Sequence, residues 1–244
     1  MSESLTRYEK SPTLGSALVI VAHPDDIDFG MAGTIAVLKS HGVDVSYCLV
    51  TSGDAGGDDS THSKEERAAI REAEQTAAAA ALGVTRLTFL RWPDGQVEPT
   101  LELRRALSRV IRSHQPELVM TQSPERNFER IYASHPDHLA TGEAALRAVY
   151  PDARNPHAFP ELLVEGFSPH TVPTVWVGGS TPNLVVDITE TFDHKIAALR
   201  AHVSQVGHRD DLEDMMRACA TTNAEVAGLA SGRLAETFRV INTA

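Results

Sequence analysis

Ser16–Ala22, SALVIVA, is an unbroken apolar run of strand length, and it opens a repeating pattern that restricts the fold more than any other feature. A helix-like stretch, GMAGTIAVLKSHG, follows it, then a second apolar run, DVSYCLVTSG, and a helical stretch from about Lys64 to Leu82 ending at Gly83. The alternation continues with RLTFLRW, a helix from about Leu101 to His114, ELVMTQS, and a helix from about His138 to Val149. Strands without a polar face must be covered on both sides, and helices between successive strands supply the cover. The fold class is therefore α/β: a Rossmann-like, mostly parallel sheet with helices on both faces. Ligands of such sheets gather at the carboxyl ends of the strands.

From Pro151 to Pro182 the chain is proline-rich and irregular, with one short apolar run at TVWVGG; NLVVDIT and FDHKIAALRAHVSQVG then add a strand and a helix. No boundary or repeat divides the 244 residues, so residues 1–244 are expected to form a single domain, with 1–15 as a flexible N-terminal segment. The formal charge of −11 argues against nucleic acid or an anionic membrane as partner. The opening MSESLTRYEKSPTLG lacks the apolar core of a signal peptide, and no apolar stretch approaches the length that spans a bilayer, so a cytoplasmic location is expected. Cys48 and Cys219 have no metal-binding spacing and are expected to be reduced, buried small hydrophobes. A homo-oligomer is compatible with the sequence without being required by it.

The first apolar run ends abruptly in AHPDD, Ala22 to Asp26. Adjacent carboxylates at the end of a buried strand repel each other and lose hydration, and a divalent cation compensates both costs. A second stretch, SHPDH from Ser134 to His138, has the same grammar. In each, side chains three apart, His23 with Asp26 and His135 with His138, converge on one side of a first helical turn. Imidazoles and carboxylates so placed suit a catalytic zinc with three protein ligands and a fourth position left for water, or Fe²⁺ or another divalent ion. The spacing alone does not choose which three.

AHPDD with a later HPDH resembles the PIG-L/LmbE-like family of zinc-dependent N-acetylglucosaminyl deacetylases. EERAAIREAEQTAAAAALG followed by WPDG, and the late KIAALRAHVSQ, extend the resemblance over most of the chain. It implies metal ligands His23, Asp26 and His138, with Asp25 as general base. It also implies His135 as general acid or oxyanion stabiliser, oriented by Asp137. The implied reaction removes an acetyl group from an N-acetylated amino sugar. Amidase action on thiol S-conjugates or other non-sugar amides is the alternative. A non-catalytic carbohydrate- or nucleotide-binding protein is a more distant one, since the first strand is not followed by a glycine fingerprint.

Weaker signals surround the two motifs. TSGDAGGDD lacks phosphate-cradle spacing and is expected to be a flexible loop at the mouth of the site, with Asp54 in reach of a sugar hydroxyl. Arg67, near the start of the next helix, is a candidate substrate contact. Asp94 in WPDG is first a turn residue and second a hydroxyl binder. Tyr132 stands just before the second motif and could polarise a carbonyl. His202 is expected to be a hydrogen-bonded structural histidine.

Overall fold

The computed structural model describes residues 5–57, 61–129, 131 and 134–244. The alternating half contains β1 (Thr6–Arg7), β2 (Ser16–Val21), α1 (Asp26–Gly30), α2 (Ala32–Ser40), β3 (Asp44–Thr51), α3 (Lys64–Ala81), β4 (Arg86–Trp92), α4 (Leu101–His114), β5 (Leu118–Gln122) and α5 (Pro136–Arg147). Beyond it lie α6 (Pro160–Val164), β6 (Thr174–Gly178), β7 (Leu184–Asp187), α7 (Phe192–Arg200), α8 (Val203–Val206), α9 (Leu212–Val226) and β8 (Ala235–Asn242). The strands form one eight-stranded sheet in the order β1-β7-β8-β6-β5-β2-β3-β4. Only β8 runs against its neighbours, β6 and β7; every other pairing is parallel.

β2 shows why its sequence has no polar face. Ala17, Val19 and Val21 pack into a cluster with Ile27, Ile35 and Leu199, while Leu18 and Ile20 point the other way, into a cluster with Leu103, Leu107 and Ala144. Both faces of the strand are buried, so its alternation separates two cores instead of core from water.

Several boundaries differ from expectation, each through a long-range contact. The stretch 30–42 continues not one helix but a corner between α1 and α2, with Met31 at φ −142°. Lys195 on α7 donates to the carbonyls of Asp28 (3.0 Å) and Phe29 (2.6 Å), near the end of α1. Glu236 on β8 accepts from the backbone N–H groups of Gly33 (3.2 Å) and Thr34 (2.8 Å), in the first turn of α2. The two side chains pair at 2.8 Å, so one buried ion pair satisfies both helix ends. Likewise FDHKIAALRAHVSQVG breaks into α7 and α8 at His202, whose ring is bonded to Asp28. Helix α5 starts at Pro136, earlier than expected, because His135 caps it through an N–H of Asp137.

Residues 5–15 lie against the sheet. Thr6 and Arg7 pair with β7, Arg7 meets Asp187 at 2.9 Å, and the Tyr8 ring packs edge-on against Trp176. An aromatic ring with an apolar neighbour and a strand edge with open hydrogen bonds are enough to hold the segment down.

The topology fixes where a ligand binds. From β2 the chain moves outward to β3 and β4 on one side, then returns to β5 and β6 on the other, opening a crevice at the carboxyl ends of β2 and β5. Gln122, closing β5, bridges it by accepting from the Ala22 N–H at 2.9 Å. Helix α5 crosses β5 so closely that a Cβ on Gly142 would lie 2.3 Å from the Gln122 carbonyl oxygen. Gly142→Ala must therefore push α5 off the sheet, at a cost of about 2 kcal/mol. Chemical denaturation should show that loss, and metal titration a weaker site, because His138 moves with α5.

Candidate metal centre and its surroundings

Three donor side chains converge at the crevice, Asp26 facing the two imidazoles through different carboxylate oxygens. His23 Nδ1 lies 3.2 Å from His138 Nε2 and 3.4 Å from Asp26 Oδ2, and His138 Nε2 lies 3.0 Å from Asp26 Oδ1. Tetrahedral ligation at about 2.1 Å separates neighbouring donors by roughly 3.4 Å, so this triangle fits one small divalent ion, with a ligand position to spare. Asp26 is fixed by accepting from the His23 N–H at 2.7 Å. Burial alone would raise its carboxyl, but His138 and His23 outweigh that and hold it well below the usual carboxylate range.

His23 has two distinct sides. Nδ1 faces the donor triangle, while Nε2 faces Asp94 Oδ1 at 3.0 Å and Asp137 Oδ2 at 3.1 Å. Burial works against a charge on this ring, yet Asp137, Asp26 and Asp94 overcome it and push its pKa up to about 11. A neutral His23 ligating through Nδ1 and donating Nε2–H to carboxylates is the arrangement that orients a metal-bound imidazole. Two other donor groupings occur among the described residues, His23 with His135 and His138, and His23 with Asp94 and Asp137. Neither fits as well. His135 Nδ1 already accepts from the Asp137 N–H at 3.2 Å, and the two aspartates lie behind His23, on the ring nitrogen that faces away from the triangle.

Asp137 faces His23 with its carboxylate and His135 with its backbone. Its carboxylate accepts from the N–H groups of Gly95 (2.7 Å) and Val97 (3.2 Å) as well as facing His23, and it meets His135 only through its backbone. Burial and the charges of His23 and His138 hold the His135 ring below its ordinary value, against Asp137 and Asp94. His135 stands exposed at the rim, its ring 5.0 Å from that of His23.

Asp25 adopts φ +80°, a left-handed conformation that costs a non-glycine residue about 1–3 kcal/mol. Its N–H donates to Gln75 Oε1 at 2.9 Å, and its carboxylate accepts from Arg71 Nη2 at 3.0 Å. Burial pushes the carboxyl up, Arg71 pulls it back and Asp26 raises it again, leaving its pKa at about 6. Arg71, itself buried, also donates to the carbonyls of Pro24 and Gly53. The glycines of the TSGDAGGDD loop make room for it: a Cβ on Gly53, where φ is +68°, would lie 2.3 Å from the guanidinium.

Arg67 serves the same loop, donating to the Asp54 carbonyl at 2.9 Å. Asp54 accepts from the Asp94 N–H at 2.9 Å, and Asp94, buried, accepts from the Ala55 N–H at 3.0 Å besides facing His23. Asp94 is thus first a support for His23. Tyr132 lies outside the described residues. Cys48 is buried as expected, but Cys219 is exposed and lines a cavity of about 450 Å³ that Asp26 and His138 border. A larger cavity, about 980 Å³, lies at the opposite ends of the strands beside Tyr8 and Trp176 and contains no residue of either motif.

Sequence reasoning missed Gln75 and Asp28 and weighed Arg67 above Arg71. A signal for Arg71 and Gln75 was available: four residues apart, they share one face of α3 and are among its few buried polar residues.

The GlcNAc-PI de-N-acetylase (PIG-L) family model matches residues 18–149, a span that contains both motifs. Diacetylchitobiose deacetylase of Thermococcus kodakarensis is 34% identical over 226 residues, which are 92% of this chain and 82% of that protein. A Bacillus subtilis protein named "Probable N-acetyl-alpha-D-glucosaminyl L-malate deacetylase 2" is 30% identical over 210 residues, 82% of this chain and 88% of its own. The solved structure of N,N'-diacetylchitobiose deacetylase from Pyrococcus horikoshii, complexed with an inhibitor, matches with a TM-score of 0.86 at 32% identity, covering 94% of this chain and 85% of that one. The paired motifs, the switch-point crevice and these likenesses agree, and the chain belongs to the PIG-L family of GlcNAc-PI de-N-acetylases.

Proposed function

We propose that this protein is a metal-dependent amide hydrolase that removes the acetyl group from an N-acetylglucosamine-type substrate, leaving acetate and a free amine. The observation that carries this reading is the convergence of His23, Asp26 and His138 at 3.0–3.4 Å with a half-buried carboxylate on strained backbone, Asp25, beside them in the chain. The relatives' names supply the sugar. Two imidazoles and a carboxylate suit Zn²⁺ first and Fe²⁺ second. No described helix is long and apolar enough to cross a membrane. A cytoplasmic location is supported by two cysteines that remain free thiols.

Amide hydrolysis needs an activated water, a stabilised oxyanion and a proton for the departing amine. His23, Asp26 and His138 would hold the divalent ion, which when bound would supply Lewis acidity toward water and the acetyl carbonyl. Asp25 accepts a proton as the water oxygen bonds to the acetyl carbon, and it returns that proton to the sugar nitrogen as the C–N bond breaks. With its pKa raised to about 6 it is a stronger base than an ordinary aspartate, yet is mostly ionised near neutrality. His135, whose Nδ1 is occupied by the Asp137 N–H, carries its proton on Nε2 when neutral and donates it toward the developing oxyanion. Asp137 and Asp94 hold the His23 ring in ligating orientation. Arg67, in the first turn of α3, and Asp54, on the loop beside the crevice, are proposed substrate contacts.

Three measurements test these roles. Metal-stripped protein should release no primary amine from diacetylchitobiose, N-acetylglucosaminyl malate or an N-acetylglucosaminyl inositol, and reloading with Zn²⁺ or, anaerobically, Fe²⁺ should restore release from at least one. Amine release that survives chelation would overturn the metal-dependent reading. Asp25→Asn should keep stoichiometric metal while its rate falls about 10²- to 10⁴-fold, whereas His138→Ala should lose the metal itself. Equal metal loss in both would contradict that division. Asp137→Asn should weaken metal affinity about 10- to 100-fold, measured by competition with a chromophoric chelator, because His23 loses its carboxylate partner.

A further inference from the structure

Behind Asp25 lies a polar chain that the proposed reaction does not use directly. His202, at the α7–α8 corner, meets Asp28 Oδ2 at 2.8 Å; Gln75 Nε2 donates to the same oxygen at 2.9 Å; and Gln75 Oε1 accepts from the Asp25 N–H at 2.9 Å. Gln75, Asp28 and His202 are each fully buried. Nothing about this chain is needed to fill the core, since apolar side chains of similar size would do so without desolvating a carboxylate. Nor is it fully satisfied internally: among the described residues, Asp28 Oδ1 and His202 Nδ1 have no partner. A costly, partly satisfied polar chain makes sense where it fixes a geometry that apolar packing cannot.

The geometry at its end is the left-handed backbone of Asp25. A side-chain amide can be turned either way, but a carboxylate only accepts, so Asp28 obliges Gln75 to present NH₂ to it and oxygen to Asp25. His202, donating to the same Asp28 oxygen, holds the carboxylate in that direction. Arg71 grips the Asp25 carboxylate, and the N–H groups of Asp28 and Phe29 bond to the Asp25 carbonyl at 2.9 and 3.0 Å. Gln75 holds the remaining main-chain group, the N–H. From this we infer that Gln75, oriented by Asp28 and His202, is a positioning residue for Asp25, keeping the strained base aimed at the attacking water. The inference rests on Asp25 being the base of the proposed deacetylation.

The test is a cycle on the zinc-loaded enzyme with diacetylchitobiose, or whichever N-acetylglucosaminide proves fastest, comparing wild type, Asp25→Asn, Gln75→Met and the double variant. Gln75→Met should lower kcat about 10- to 100-fold, as sub-ångström misplacement of a reacting group does, with KM and metal content nearly unchanged. In the Asp25→Asn background the same substitution should cost less than about threefold, because no base is left to misplace. His202→Leu leaves Gln75 in place and does not touch Asp25, and it should repeat the pattern more weakly if Gln75→Met fails to fold. The same loss in both backgrounds, or no loss in either, overturns the positioning role. A fully active Asp25→Asn would instead remove the base assignment beneath it, and that failure is visible without any Gln75 variant.

Discussion

Carboxylates gathered at the end of a buried strand must be met by positive charge, and His23 is where this protein meets that requirement. Asp26 stands on one side of its ring, Asp94 and Asp137 on the other. A divalent ion held at Nδ1 would answer Asp26 directly and the other two in part through the imidazole, whose Nε2–H would become a better donor. The parts of the proposed site come from far apart. Asp26 follows β2, Asp94 follows β4, and Asp137 and His138 open α5. The parallel sheet brings those three chain exits to one edge.

The late part of the chain builds no ligand, yet it decides whether the ligands can be used. Lys195 and Glu236 hold the corner between α1 and α2, and His202 reaches Asp28 inside α1. Helix α1 is only a turn or so long and carries Asp26 at its start, so by itself it would have little stability. The buried ion pair and the histidine supply from outside what so short a helix lacks. This division explains why the family model can match residues 18–149, with every proposed ligand inside them, while residues beyond that span still shape the centre.

What could be seen in the sequence was local. The apolar runs gave β2 to β7, most clearly where a strand such as β2 is buried on both faces, and HPDD and HPDH pointed together to the proposed centre, where the fold brings the two stretches side by side. What could not be seen was partnership across the chain. Asp137 was expected beside His135 because they are neighbours in sequence; in space its carboxylate turns to His23, since the turn at Gly95 offers it two N–H groups on that side. The apolar stretch 30–42 gave no sign of a corner at Met31, because the residues enforcing it are 195 and 236. β8 and α9 escaped notice for a related reason: β8 mixes buried, half-exposed and exposed positions without a regular period, and α9 buries only a few of its residues.

The strain at Asp25 connects stability with function. A left-handed aspartate between two proposed ligand positions is a poor choice for folding, and glycine there would remove the penalty while also removing the proposed base. The fold instead surrounds the residue with fixed contacts: Arg71 on the carboxylate, Gln75 on the N–H, and the first turn of α1 on the carbonyl. His23 and Asp26 cannot both ligate one ion from a strand-to-helix turn this tight unless the chain between them is bent sharply. The bend that brings them together sets Asp25 apart from the ligand set. The proposed base and ligands thus share one backbone constraint, and the glycine-lined pocket for Arg71 in the neighbouring loop is part of what that constraint demands of the rest of the chain.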